Sequence, residues 1–264
     1  MNFLPVITVA AIGHFFLLLT RISSLVFFFP VMNNLAVPKT LKAAFSLLLA
    51  LLFFNIVPEL SGPPLFSRGL LEITLILLRE MVIGMLVGLL ANMVFAAVQT
   101  AGQMIGFQMS FAVANVVDPI TSLQVPLIAQ FYYMLAMLFF LTLGAHRWIF
   151  RALGESFNLI PLAGFRPDES LPVLMLRYSE AIFSTAVKLA APLMAALLLS
   201  DVSLGVVART APQMNIFIVG MPLKILLGML LMSFSFPYLV NILGTLFRLL
   251  FNDIMFLLKV SGSG

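Results

Sequence analysis

Seven ionisable side chains stand inside or at the rims of apolar runs: Arg21, Arg79, Glu80, Lys188, Asp201, Arg209 and Lys224. Facing lipid at a helix centre, each would cost ~2.5–3.5 kcal/mol, so such groups turn to a bundle interior, a subunit contact or a water-filled path. The plainer alternative is a helix-end residue that snorkels, which suits Arg21 and Arg248 at least as well. For the adjacent Arg79-Glu80 pair, a protein-facing or polar-cavity position is expected. None of these groups makes a catalytic set. The chain has no cysteine, which removes thiol catalysis, disulfides, zinc ribbons and iron–sulfur clusters. His14 and His146 lie far apart, outside any metal-binding spacing, and His14 reads as a packing residue. No nucleophile–base pair or paired carboxylates occur, so no enzymatic chemistry is expected.

Spacing adds a second kind of signal. Glu80, Gly84, Gly88, Asn92 and Ala96 recur every four residues and lie along one slowly drifting helical stripe. Gly84 and Gly88 form a GxxxG pair that lets another helix backbone approach, and Gly102 and Gly106 form a second. Asp201, Gly205 and Arg209 share a face at i, i+4 and i+8, but Asp201 and Arg209 would be ~12 Å apart along the axis. Each therefore needs another partner. Pro212 should end that helix, Gln213 and Asn215 should bond the break, and Pro222 can start the next helix.

From Gln99 to Gln124 runs a tract with four Gln, two Gly and a single charge, Asp118. It is too polar for a lipid-facing helix and too apolar for a free loop, so it suits backbone buried in protein or lining a cavity. Its Met and Phe residues are deformable, bulky plugs of the kind that close pores by dewetting. A buried interhelical connection with satisfied amides accounts for the residues equally well.

The elements that carry these residues follow from composition. Of 264 residues, 62% are apolar and 9% charged, against about 25% charged in soluble domains. This excludes a soluble enzyme, a disordered chain and a nucleic-acid module with a basic face. The net charge of +4 is scattered and holds no run that tracks a phosphate backbone. At ~20 residues per spanning helix, the chain has room for about six hydrophobic segments: 3–29, 43–57, 70–98, 125–145, 181–200 and 216–258. The last is interrupted by Pro222, Lys224, Pro237 and Arg248 and is expected to be a helical hairpin. The N-terminal run lacks a preceding Lys or Arg, so it reads as the first membrane segment and not as a cleaved signal peptide. Continuous apolar runs do not alternate as barrel strands do. The fold class is an all-α membrane protein. Six crossings would put Arg68, Arg147, Arg151, Arg166, Arg177, Arg248 and Lys259 on the side of both termini, which the positive-inside rule makes cytoplasmic.

The segment PQMNIFIVGMPLK, from Pro212 through Gly220 to Lys224, resembles the FliR family. So do Asp201-x3-Gly205-x3-Arg209, the GFQMSFA…DP tract and the VPK at Val37–Lys39. These are the R-type subunits of the flagellar type III export gate, related to the T-type subunits of virulence secretion systems. The likeness covers nearly the whole chain, with one domain over 1–260 and 261–264 as a linker or tag remnant. It implies a P-type fold fused to a Q-type hairpin, built of bent helical hairpins. It implies hetero-oligomeric assembly with P-type and Q-type subunits of the FliP and FliQ families, and partners of the FlhA and FlhB families. The place is the inner membrane at the flagellar basal body, with much of the assembly towards the periplasm. The cargo is unfolded flagellar protein, and neither a cofactor nor nucleic acid is implied. The family's pore plug corresponds to Gly106, Phe107, Gln108, Met109, Ser110, Phe111, Asn115, Asp118 and Pro119. Assembly would rest on the buried polar and small residues: Arg79, Glu80, Gly84, Gly88, Lys188, Asp201, Gly205, Arg209, Pro212, Gln213, Asn215, Gly220 and Lys224. A virulence homologue and a secondary transporter remain alternatives, although no pseudo-symmetric halves of a transporter are visible.

Overall fold

The computed structural model describes residues 8–33, 37–60, 63–110, 126–165, 170–211, 213 and 215–262. Seven α-helices occur among them, and no strand. They are α1 (Val9–Phe28), α2 (Lys39–Phe54), α3 (Leu70–Gln108), α4 (Leu127–Thr142), α5 (Ala145–Leu159), α6 (Ser170–Thr210) and α7 (Ile216–Gly262). A single 3₁₀ turn, Leu65–Ser67, precedes α3. The architecture is that of an all-α membrane protein.

Local chemistry sets most boundaries. Thr8 caps α1 by accepting the Ala11 N–H at 3.1 Å, and α1 stops at Phe29, where the following Pro30 disfavours helical backbone. Pro38 opens α2 with its carbonyl on the Leu41 and Lys42 amides. Gly144, at φ +69°, turns the chain between α4 and α5, which are bent by 67° at that break. α5 is amphipathic, burying Ile149, Ala152, Leu153, Ser156 and Phe157 on one face. Four helices (α1, α3, α6 and α7) are long and apolar enough to cross a membrane, or five if α4–α5 is one bent span. The segment 43–57 yields only the 16-residue α2.

Three expectations change. The segment from 216 is one 47-residue helix, not a hairpin, with Pro222 and Pro237 inside it. Pro222 does not start it. Asn215 does, by accepting the Ile218 and Val219 amides at 3.1 and 3.4 Å. The third segment, expected to end at 98, continues as α3 through the first ten residues of the polar tract, Gln99 to Gln108. Apolar surroundings offer a backbone no other partners, so helices continue through proline and glycine that would stop them in water. Pro192 in α6 is compensated directly: the Lys188 carbonyl, four residues earlier, accepts the Tyr238 hydroxyl at 3.2 Å.

The chain divides into two compact units, one of residues 1–93, 144–178 and 248–264, the other of 94–143 and 179–247. The core of the first holds Leu17, Leu18, Ile22 and Leu25 of α1, Ile83 and Val87 of α3, Leu153 and Phe157 of α5, and Ile254 and Leu257 of α7. The second is centred on Phe95, Phe140 and Phe247, whose rings lie 5.4–5.7 Å apart in mutual contact. Leu189, Leu193 and Leu197 of α6 are buried in the same unit.

Candidate functional site

In the first unit the stripe on α3 meets α1. Glu80 is fully buried and accepts the Nε–H of Arg21, itself fully buried, at 2.5 Å. Arg21 Nη1 donates to the carbonyls of Ser156 and Ile160, each at 3.0 Å, and its guanidinium lies 4.5 Å over the Phe157 ring. The second Glu80 oxygen accepts the Ala163 N–H at 2.8 Å. Arg21 is thus no snorkelling helix-end residue: it joins α1, α3 and the end of α5. Arg79, one residue from Glu80, is only half-buried. The GxxxG pair makes this approach possible. A methyl group at Gly84 would overlap the Arg21 carbonyl and Ser24 Oγ, and one at Gly88 would lie 2.7 Å from Phe28 Cβ.

In the second unit the other GxxxG pair packs on α4, with Gly102 against the Ala129 backbone and Gly106 against Ile128. The helix then ends at a polar junction. Gln108 Nε2 donates to Asp201 Oδ2 of α6 at 2.8 Å, and Lys224 Nζ of α7 donates to Asp201 Oδ1 at 2.7 Å. The Asp201 side chain remains 40% exposed and that of Lys224 12%. Met109 is fully buried against Gly228, and Phe107 is 67% exposed. Ser110 follows at φ +64° with its amide on the Phe107 carbonyl at 3.1 Å.

Among the expected plug residues, Gly106, Phe107, Gln108, Met109 and Ser110 therefore sit at the end of α3, while Phe111, Asn115, Asp118 and Pro119 lie outside the described residues, as does Pro212. Asp201 finds its partners on two other elements. Arg209 and Gly205 are exposed, Gly205 with no atom within 4 Å of an added Cβ. Lys188, Gln213 and Asn215 are exposed, and Gly220 is buried. Sequence reasoning did not pair Arg21 with Glu80, nor did it anticipate the Gln108–Asp201 bond or Gly228. Gly228 carried one signal, its place four residues after Lys224 on the same face of α7. No group of three or more His, Cys, Asp or Glu side chains able to hold a metal occurs among the described residues.

Residues 12–250 match the family model of bacterial export proteins, family 1. The chain is 35% identical over 251 residues to the flagellar biosynthetic protein FliR of Bacillus subtilis (strain 168), covering 94% of this chain and 95% of the relative. It is 32% identical to FliR of Escherichia coli (strain K12), over 89% and 88% of the two chains. With FliR of Aquifex aeolicus (strain VF5) it shares 30%, over 82% and 83%. A match that runs over residues 12–250, through both compact units, places this chain in the family of bacterial export proteins to which the FliR proteins belong.

Proposed function

We propose that this chain is a component of the flagellar type III protein export apparatus that lines and closes the channel for unfolded flagellar subunits. Its role is structural and not catalytic. The flagellar names of its relatives favour this branch over the virulence branch. The carrying observation is the character of α6 and α7, of 41 and 47 residues. At ~1.5 Å per residue each is about 60–70 Å long, twice the ~30 Å hydrocarbon core of a bilayer. They nevertheless expose apolar side chains over more than that thickness, from Val173 to Val206 on α6 and from Ile218 to Phe256 on α7. Lipid covers only half of such a helix, so protein covers the rest.

The covering partners are P-type and Q-type subunits of the FliP and FliQ families, with FlhA and FlhB family proteins beside them. The chain itself is a P-type fold joined to a Q-type hairpin, one functional domain over 1–260, seated largely on the periplasmic side of the inner membrane. Lys188, Gly205, Arg209, Gln213, Asn215 and Gly220 serve the assembly.

Closure falls to the segment from Gly106 to Pro119, with Phe107, Met109 and Phe111 as the apolar barrier. A protein-conducting channel passes every side-chain type, so its seal is deformable and uncharged; a hydrophobic constriction stops ions by dewetting, and methionine yields to a passing chain. Deleting Gly106 to Ala112, or placing glycine at Phe107 and Phe111, leaves assembly intact and raises the conductance of the complex in planar bilayers. Conductance that stays at the closed background rejects the plug.

A further inference from the structure

Two ion pairs between separate helices, Arg21–Glu80 and Asp201–Lys224, differ in a way that points to different uses. Arg21 and Glu80 are both at 0% exposure with their partners closed around them, a pair that cannot part without leaving an uncompensated charge. Asp201 is 40% exposed, so its carboxylate exchanges Lys224 and Gln108 for water at small cost. The apolar contact beside it is equally reversible. Met109 fills a notch on α7 that exists because residue 228 is glycine: an added Cβ would stand 2.5–2.7 Å from Met109 Cε, Cγ and Sδ. Nothing branched or rigid interlocks, and an unbranched thioether leaves such a notch by rotamer change alone. The next residue, Ser110, holds a positive φ, a backbone state that non-glycine residues keep only under constraint from their surroundings. A breakable polar bond, a removable apolar knob and a constrained backbone turn thus coincide within three residues, 108–110.

We propose that Gln108, Asp201 and Lys224, together with Met109 on Gly228, form a latch that holds the end of α3 against α6 and α7 at rest, and that its release sets the threshold for channel opening. This rests on the plug reading above and adds its regulation. Gln108 suits the role because its amide donates to a carboxylate and its carbonyl accepts from an ammonium.

The test uses the full chain in the assembled export complex, with planar-bilayer conductance as readout. Asp201→Asn and Lys224→Met raise resting conductance above wild type, and Gly228→Val does so by expelling Met109. The exchange Asp201→Lys with Lys224→Asp restores a low background, because the pair and a Gln108 contact re-form. A requirement for a carboxylate at 201 as such would leave the exchange leaky and overturns the latch. The chain's lack of cysteine gives an independent arm: Met109 Cγ, where a cysteine sulfur would sit, is 2.6 Å from the Gly228 Cβ position. Met109→Cys with Gly228→Cys therefore cross-links on oxidation, blocks export, and recovers on reduction. Absence of the cross-link, or export unaffected by it, overturns the proposal. If Asp201→Asn fails to assemble, Gln108→Leu decides, since it leaves the ion pair whole; wild-type conductance or failed assembly there counts against the latch. A leaky 106–112 deletion with silent latch variants removes the latch and keeps the plug. A silent deletion removes the plug itself.

Discussion

Arg21 and Glu80 set the sharpest energetic constraint on single residues. Both carboxylate oxygens and two guanidinium nitrogens are engaged, with Ala163, Ser156 and Ile160 supplying backbone partners. Removing either side chain strands the other as a buried charge, at about 3–5 kcal/mol. Removing both relieves that charge but orphans the Ala163 N–H and the Ile160 carbonyl, each at about 1–3 kcal/mol, while the Ser156 carbonyl keeps the Ile160 N–H at 2.9 Å. Arg21→Met and Glu80→Leu are therefore each severe, and their combination costs clearly less than the two added together, a coupling read from thermal melts of the purified complex. Strictly additive losses would show that the pair is not coupled. The sequence marked Glu80 and its stripe but tied it to Arg79. Consecutive helical residues point ~100° apart and do not face each other, and the true partner is 59 residues away. No local rule reaches that far. What was legible was the complementarity: one stray cation in the first apolar span and one stray anion in the third.

Among the elements, helix packing was legible where periodicity carried it and illegible where punctuation did. The stripe of Glu80, Gly84 and Gly88, at four-residue spacing, packs closely on another helix, and that helix is α1 of the same chain. Proline misled: Pro222 and Pro237 were read as breaks because they end helices in water, yet α7 runs through both. The tract 111–125, which holds four of the nine expected plug residues, lies outside the described residues. Glycine gives the discriminating experiment. At Gly84 the obstacle to a side chain is the α1 backbone itself, so α1 and α3 must separate and the Arg21–Glu80 bond lengthens. Gly84→Ala is expected to cost about 1–3 kcal/mol, as overpacking does. Gly205 faces open space, so Gly205→Ala gains up to about 1 kcal/mol of helix propensity. Melts of the two variants should move in opposite directions. Gly205→Leu adds the assembly readout: if that face receives a partner helix, the chain folds but no longer co-purifies with P-type and Q-type subunits.

For the whole molecule, the question is what covers the apolar surface of the two longest helices. Phe183 and Leu199 on α6 and Leu226 and Phe234 on α7 are 69–76% exposed. A bilayer masks residues within its hydrocarbon core and leaves those beyond it to water or to protein. A water-exposed run of this size does not persist on a soluble face. Single cysteines at the four positions, in a chain that has none of its own, separate the cases. In the assembled complex all four should resist a membrane-impermeant maleimide. At least one on each helix should also escape a lipid-borne photo-cross-linker, because protein covers it. Expressed without P-type and Q-type partners, the same positions should become reactive to one reagent or the other, and the chain should lose its resistance to protease. A monodisperse, protease-resistant chain purified alone, with all four cysteines labelled from lipid, would make it a conventional bilayer-embedded protein whose long helices need no protein cladding.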